Sequence, residues 1–123
     1  MSLSAQTMPS PPSPATSRHN AADQVDLESV LKALASERRL LILEWLKKPR
    51  EYFPPQEHGD PDEHGACNLF IVEKLGVSQP AGSRHLKVLV SAGLSIPTRR
   101  KGWTYYRRNE TRIAEVLGRI NQI

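Results

Sequence analysis

Two stretches of this 123-residue chain concentrate side chains able to do chemistry. His58, Asp60, Asp62, Glu63, His64 and Cys67 fall within ten positions and carry the nitrogen, oxygen and sulfur donors that zinc accepts. Their spacing matches no defined ligand motif, so the segment reads as a solvated acidic loop with surface histidines. No metal site or cofactor is assigned, and His58, His64 and Cys67 are kept as candidates should zinc bind. The second stretch is cationic. Arg99, Arg100, Lys101, Arg107 and Arg108 occur within ten positions with no carboxylate among them. Residues 92–108 carry a net +5 and residues 48–66 a net −3, within a total of +4. That unevenness, more than the total, points to a polyanionic partner.

Just upstream of the basic run lie Ser78, Gln79, Ser83, Arg84, His85 and Lys87. Glutamine can bond adenine through two contacts, arginine can do the same with guanine, and serine or lysine suits phosphate. Nothing comparable supports an enzyme: there is no nucleophile–base pair at recognisable spacing and no glycine loop for phosphate. One cysteine excludes an intrachain disulfide framework and fits a reducing compartment. No apolar run reaches the length of a membrane span or resembles a signal peptide, so a cytoplasmic protein is expected.

Secondary structure must position these residues. Residues 1–24 are rich in Pro, Ser, Ala and Thr and read as a disordered arm, which leaves one domain over residues 25–123. Asp26 is a helix N-cap candidate, followed by Leu27, Val30, Leu31 and Leu34 at amphipathic spacing. Ser36 begins a second helix through Leu40, Leu43 and Leu46, which Pro49 should end. Residues 48–66 hold four prolines, two glycines and five carboxylates. They read as a long acidic loop insertion that could be shortened with little effect on folding. A third helix is expected over 68–75, a turn at Gly76–Val77, and a fourth helix from Gln79 to about Ala92, capped by Ser78. Residues 94–100 and 103–108 form a hairpin about Lys101–Gly102. The last helix starts near Thr111 and presents Ile113, Val116, Leu117 and Ile120. The fold expected is mainly α with a small β-hairpin wing, a winged helix-turn-helix.

Two segments carry a family resemblance. Leu34-Ala35-Ser36-Glu37-Arg38-Arg39-Leu40-Leu41-Ile42-Leu43 resembles the opening of the arsenical-resistance and zinc-repressor (ArsR/SmtB) family. Leu75-Gly76-Val77-Ser78-Gln79-Pro80-Ala81-Gly82-Ser83-Arg84-His85-Leu86-Lys87-Val88-Leu89 resembles its helix-turn-helix, and Ala92-Gly93-Leu94 leads into its wing. The likeness spans roughly residues 27–120. It implies a transcriptional regulator, acting as a repressor, whose homodimer is held by the first and last helices and whose recognition helices enter successive major grooves of double-stranded DNA. The dimer contacts would then come from Leu27, Val30, Leu31, Ile113, Val116, Leu117 and Ile120. Base reading would fall to Ser78, Gln79, Ser83, Arg84, His85 and Lys87, and phosphate contact to Arg99, Arg100, Lys101 and Arg107.

Departures from the family concern the effector. The thiolate sensors' Cys-Val-Cys-Asp segment aligns with Cys67-Asn68-Leu69-Phe70, which keeps one thiol, and no histidine follows His85 to build a site on the last helix. Gly82 replaces a branched apolar residue, at an intrinsic cost to its helix of about 1 kcal/mol. The competing class is a winged-helix module that docks another protein. It would call for an apolar recognition face, which the Gln, Ser, Arg and Lys set does not provide.

Overall fold

The computed structural model describes residues 26–123; the arm expected at 1–24 lies outside them. Helix α1 spans Leu27–Leu34 and α2 spans Glu37–Lys47. Both begin on side-chain caps that satisfy otherwise orphaned first-turn N–H groups. Asp26 accepts from the Ser29 amide and hydroxyl, and Ser36 accepts from the Arg39 amide at 3.3 Å. After α2 the chain turns at Lys48 into a four-residue helix α3, Pro49–Tyr52, with the proline in its first turn where no intrahelical N–H bond is needed. A two-residue strand β1, Ala66–Cys67, leads into helix α4, Asn68–Leu75. A tight turn at Gly76 connects it to helix α5, Gln79–Ser91. Strands β2, Ser95–Arg100, and β3, Trp103–Arg108, make the hairpin, and α6, Glu110–Asn121, closes the fold from its Asn109 cap.

The three strands are antiparallel in the order β1-β3-β2, so β3 is central. Tyr105 pairs with Cys67 on one side and Thr98 on the other. Arg100 pairs with Trp103 across the hairpin, and Lys101 and Gly102 between them have φ of 53° and 84°. Two consecutive left-handed residues make the tight turn whose twist matches the strands, which is why glycine occupies one of them.

Ile42, Ile71, Leu86, Leu89 and Leu94 are fully buried where α2, α4, α5 and the start of β2 meet. Each such side chain contributes about 1.5–3 kcal/mol relative to an exposed one. Val30, Ala33 and Val116 extend this core between α1 and α6.

The sequence expectations for α1, α2, α4, α5 and the hairpin agree with the structure to within a residue or two. The insertion does not match its expectation. It contains α3 and β1, and between them the chain folds back on a single side chain. Gln56 Nε2 donates to the carbonyls of Gly65 at 2.6 Å and Gly59 at 3.2 Å, while its Oε1 accepts from the Cys67 amide at 3.2 Å. Arg50 pairs with Asp60 and Asp62. The segment thus supplies Ala66 of β1 and sets Gly59 against the Tyr105 ring. Two short helices flanking a turn, followed by a three-stranded sheet with a protruding hairpin, constitute a winged helix-turn-helix.

Candidate nucleic-acid interface

Helix α5 has one buried side and one polar side. Gly82, Leu86 and Leu89 face the core; Ser78, Gln79, Ser83, Arg84 and Lys87 are exposed. Ser78 caps the helix by accepting from the Ala81 amide at 3.3 Å. Gln79 and Ser83, one turn apart, are joined by a 3.3 Å hydrogen bond, with Arg84 and Lys87 beside them. Long polar side chains on one exposed helix face are the arrangement a major groove accepts.

The approach of α4 to α5 explains Gly82. A Cβ placed on it would lie 2.5 Å from Val72 Cγ2, a distance real side chains do not tolerate. The intrinsic cost of glycine in a helix is therefore incurred where the α4 valine occupies the volume that a branched residue at position 82 would fill.

His85 departs from the exposed set. It is half-buried, and its Nδ1 lies 3.0 Å from Nη1 of Arg39 on α2. The same guanidinium donates through Nε to the Ala33 carbonyl at 2.6 Å and through Nη2 to the Lys32 carbonyl at 3.4 Å. Arg39 thus occupies the C-terminal end of α1, where the helix dipole favours a cation, and ties it to α5. Burial first, then Arg39, Arg38 and Arg84, hold the His85 ring below its ordinary pKa. Neutral Nδ1 can accept the guanidinium N–H, which a protonated ring cannot do.

On the wing, Arg99, Arg100 and Lys101 are exposed and Arg107 is half-exposed. Arg100 is also bonded: its Nε donates to the His58 carbonyl of the insertion at 3.0 Å. Arg108 corrects the reading of five unopposed cations. Its guanidinium forms a two-point pair with Glu110 at 2.8 and 3.0 Å and donates to the Leu43 carbonyl at 3.3 Å, so it anchors the wing base to α2 and α6. Of the aromatic residues, Tyr105 is buried, Tyr106 packs on the core and Trp103 is exposed.

Among the described residues, no three His, Cys, Asp or Glu side chains form a group that could hold a metal. His64 Nδ1 accepts the Asp60 amide at 3.0 Å, His58 faces Glu57 at 3.6 Å, and Cys67 is buried at the start of α4. Of the residues expected at a dimer contact, Val30 and Val116 are in the chain's own core, and Leu27, Ile113 and Ile120 are partly buried against it. Leu31 and Leu117 are exposed, Leu117 by 61%. Leu117 lines an apolar groove of about 340 Å³ together with Leu34, Leu40, Leu43, Leu94 and Ile113 among others.

Sequence reasoning missed three of these elements. The Arg39–His85 tie crosses 46 positions and has no local signal. The Arg108–Glu110 pair was legible as opposite charges two residues apart. Nothing near Gln56 in sequence marks it as a hub.

No protein-family model matches the sequence. The chain is 41% identical over 91 residues to the uncharacterized HTH-type transcriptional regulator YbzH of Bacillus subtilis, covering 74% of this chain and 87% of that protein. The chain belongs to the helix-turn-helix transcriptional regulators. Solved structures agree with this assignment of the regulator. NolR from Sinorhizobium fredii superposes with a TM-score of 0.51 at 25% identity, over 92% of this chain and 94% of its own. The homodimeric winged helix-turn-helix DNA-binding domain of a possible ArsR-family regulator from Mycobacterium bovis gives 0.55 at 27% identity, over 85% and 81%. The regulator is thus a winged helix-turn-helix DNA-binding protein, and the relatives point to a non-enzymatic role. None of its described helices is long and apolar enough to cross a membrane.

Proposed function

We propose that the protein is an ArsR-type repressor that binds a palindromic operator as a homodimer in the cytoplasm. The observation that carries this reading is the exposed polar stripe of α5, Gln79, Ser83, Arg84 and Lys87, beside a wing whose tip presents Arg99 and Lys101. In this reading Gln79 and Arg84 contact base edges, and Ser78, Ser83 and Lys87 contact phosphates or base edges nearby. Arg99, Arg100, Lys101 and Arg107 contact the backbone. His85 serves chiefly to hold α5 against Arg39. The homodimer rests on the exposed Leu31 and Leu117 and the groove between α1, α2 and α6, since an apolar surface of this kind on a small domain favours association. ArsR membership is supported by the two sequence segments described above and by the M. bovis neighbour.

Selection of bound sequences from a random DNA pool tests the proposal. The expected product is an inverted repeat with half-sites about one helical turn apart, as two-fold protein symmetry requires. Recovery of no consensus, or of a single unrepeated site, would refute it. Reporter expression from a promoter carrying the selected site should fall when the protein is supplied; a rise would remove the repressor assignment.

A further inference from the structure

A second concavity lies away from both the polar stripe and the α1–α6 groove. It encloses about 430 Å³ between residues 55–58 of the insertion, the start of α4 and one face of β3. Small-molecule sites run from about 300 to 1,000 Å³ and are mostly apolar with a few polar groups. Here the walls include the aromatic rings of Phe70, Trp103 and Tyr105, together with Leu69. Trp103 and Leu69 are each about two-fifths exposed, at 41% and 42%. Glu57 supplies the one carboxylate among the lining side chains, with the His58 imidazole facing it at 3.6 Å and no lysine or arginine there.

The cavity's two sides also belong to structures that the fold ties together. His58 accepts from Arg100 of the wing, and Gly59 lies against the Tyr105 ring. An occupant pressed between the insertion and β3 therefore bears on the strand that carries the hairpin. It can change DNA affinity to the extent that it binds one wing position better than another.

We propose that this cavity binds a small flat aromatic amine, its ring against Phe70, Trp103 and Tyr105 and its ammonium toward Glu57, and that occupancy alters the wing's hold on DNA. Aromatic walls select a flat apolar body, and a carboxylate accompanied only by a neutral imidazole selects a cation over an anion. The binding half stands on the cavity alone, whereas the regulatory half rests on the DNA-binding reading above.

The probe is 1-naphthylmethylamine, titrated into the full-length protein and followed by amide and indole NMR signals. Saturable shifts confined to residues 55–58, 67–70 and 103–105 are expected, with a Kd of tens to hundreds of micromolar for a ligand of this size. The isosteric acid, 1-naphthoic acid, should bind at least about ten-fold more weakly, as complementary charge requires, and Glu57→Gln should erase that difference. Leu69→Trp, at an exposed position, should fill the mouth and abolish the shifts while leaving the remaining spectrum intact. Absence of shifts at millimolar probe, shifts scattered through the core, or shifts persisting in Leu69→Trp would overturn the site. Equal binding of amine and acid would overturn the ligand class. In a second arm, affinity for the pool-selected DNA is measured with saturating probe, and a change of at least about three-fold is expected. Unchanged affinity with the cavity occupied would overturn the regulatory half. Failure to bind any DNA without probe would instead refute the proposed function, and the regulatory half with it, while the NMR titration would still decide whether the cavity binds the amine.

Discussion

Arg39 Nη1 and His85 Nδ1 stand 3.0 Å apart, so a neutral imidazole joins α5 to the end of α1. Burial and the neighbouring guanidinium groups lower the folded-state pKa of His85 below 6.5. The unfolded chain therefore binds more protons in this range, and stability rises with pH. The contribution should be complete above about pH 6.5 and be lost as pH falls through the lowered folded value. Asp26, also lowered, acts from below 3.8 and does not intrude. Thermal melts between pH 7.5 and 5 should show a loss of Tm that His85→Asn, which keeps an acceptor but does not titrate, removes. An equal loss in the variant would place the pH dependence elsewhere.

Val72 and Gly82 should behave as a coupled pair. Gly82→Ala gains about 1 kcal/mol of helix propensity but forces a side chain into occupied space, which typically costs about 1–3 kcal/mol. Net destabilisation is expected in urea melts. Val72→Ala combined with Gly82→Ala should be less damaging than the two single effects added, with a coupling of about 1 kcal/mol or more. Strict additivity would mean that the contact between the helices is not what selects glycine.

Base reading and phosphate holding should separate by mutation. Arg84→Ala or Gln79→Ala should cost about 1–3 kcal/mol against the best site and relax preference at one position per half-site. Arg99→Ala or Lys101→Ala should weaken all sequences together and reduce the salt slope by about one. Binding titrations at several salt concentrations, on selected and scrambled DNA, check both. Wing variants that change sequence preference would reverse the assignment.

Gln56 makes three hydrogen bonds to backbone groups, at Gly59, Gly65 and Cys67. Gln56→Ala leaves those partners unsatisfied, at about 1–3 kcal/mol for each group that stays buried. Gln56→Glu should also destabilise, because a carboxylate cannot donate to the Gly65 and Gly59 carbonyls. Denaturant midpoints measure both, and an unchanged midpoint in either variant would remove Gln56 as the hub of the segment.

Leu117 is 61% exposed and its neighbour Val116 is buried. If the α1–α6 side pairs two copies, Leu117→Asp should produce a folded monomer by sedimentation at micromolar concentration, with weaker operator binding. A dimer unaffected by the change would move the interface elsewhere.

The helices and hairpin are legible because their signals are local. Ser36 and Ser78 mark helix starts, Leu86 and Leu89 mark a buried face, and Lys101–Gly102 marks a two-residue turn. The polar stripe follows from the same periodicity. Distance in sequence hides the rest. Proline, glycine and carboxylate density make residues 48–66 read as a solvated loop, yet one glutamine amide and the face of Tyr105 organise them. His85 reads as a member of the DNA-facing set because its partner, Arg39, belongs to a helix that spacing alone cannot orient. Arg108 reads as one more wing cation although its role is to fasten the wing.

The short strand β1 also bears on how the chain assembles. Ala66 and Cys67 pair with Tyr106 and Tyr105, roughly forty positions later, and loop closure over that span costs more than the local contacts of α4–α5 or of the hairpin. The helix-turn-helix and the hairpin can therefore form from neighbouring residues, while the insertion docks only once β3 exists to receive it. In a chain emerging from the ribosome, residues 54–67 must wait until the wing has been synthesised. During that interval Cys67, buried in the finished protein, lacks the strand it pairs with, so its thiol is chemically more vulnerable in the nascent chain.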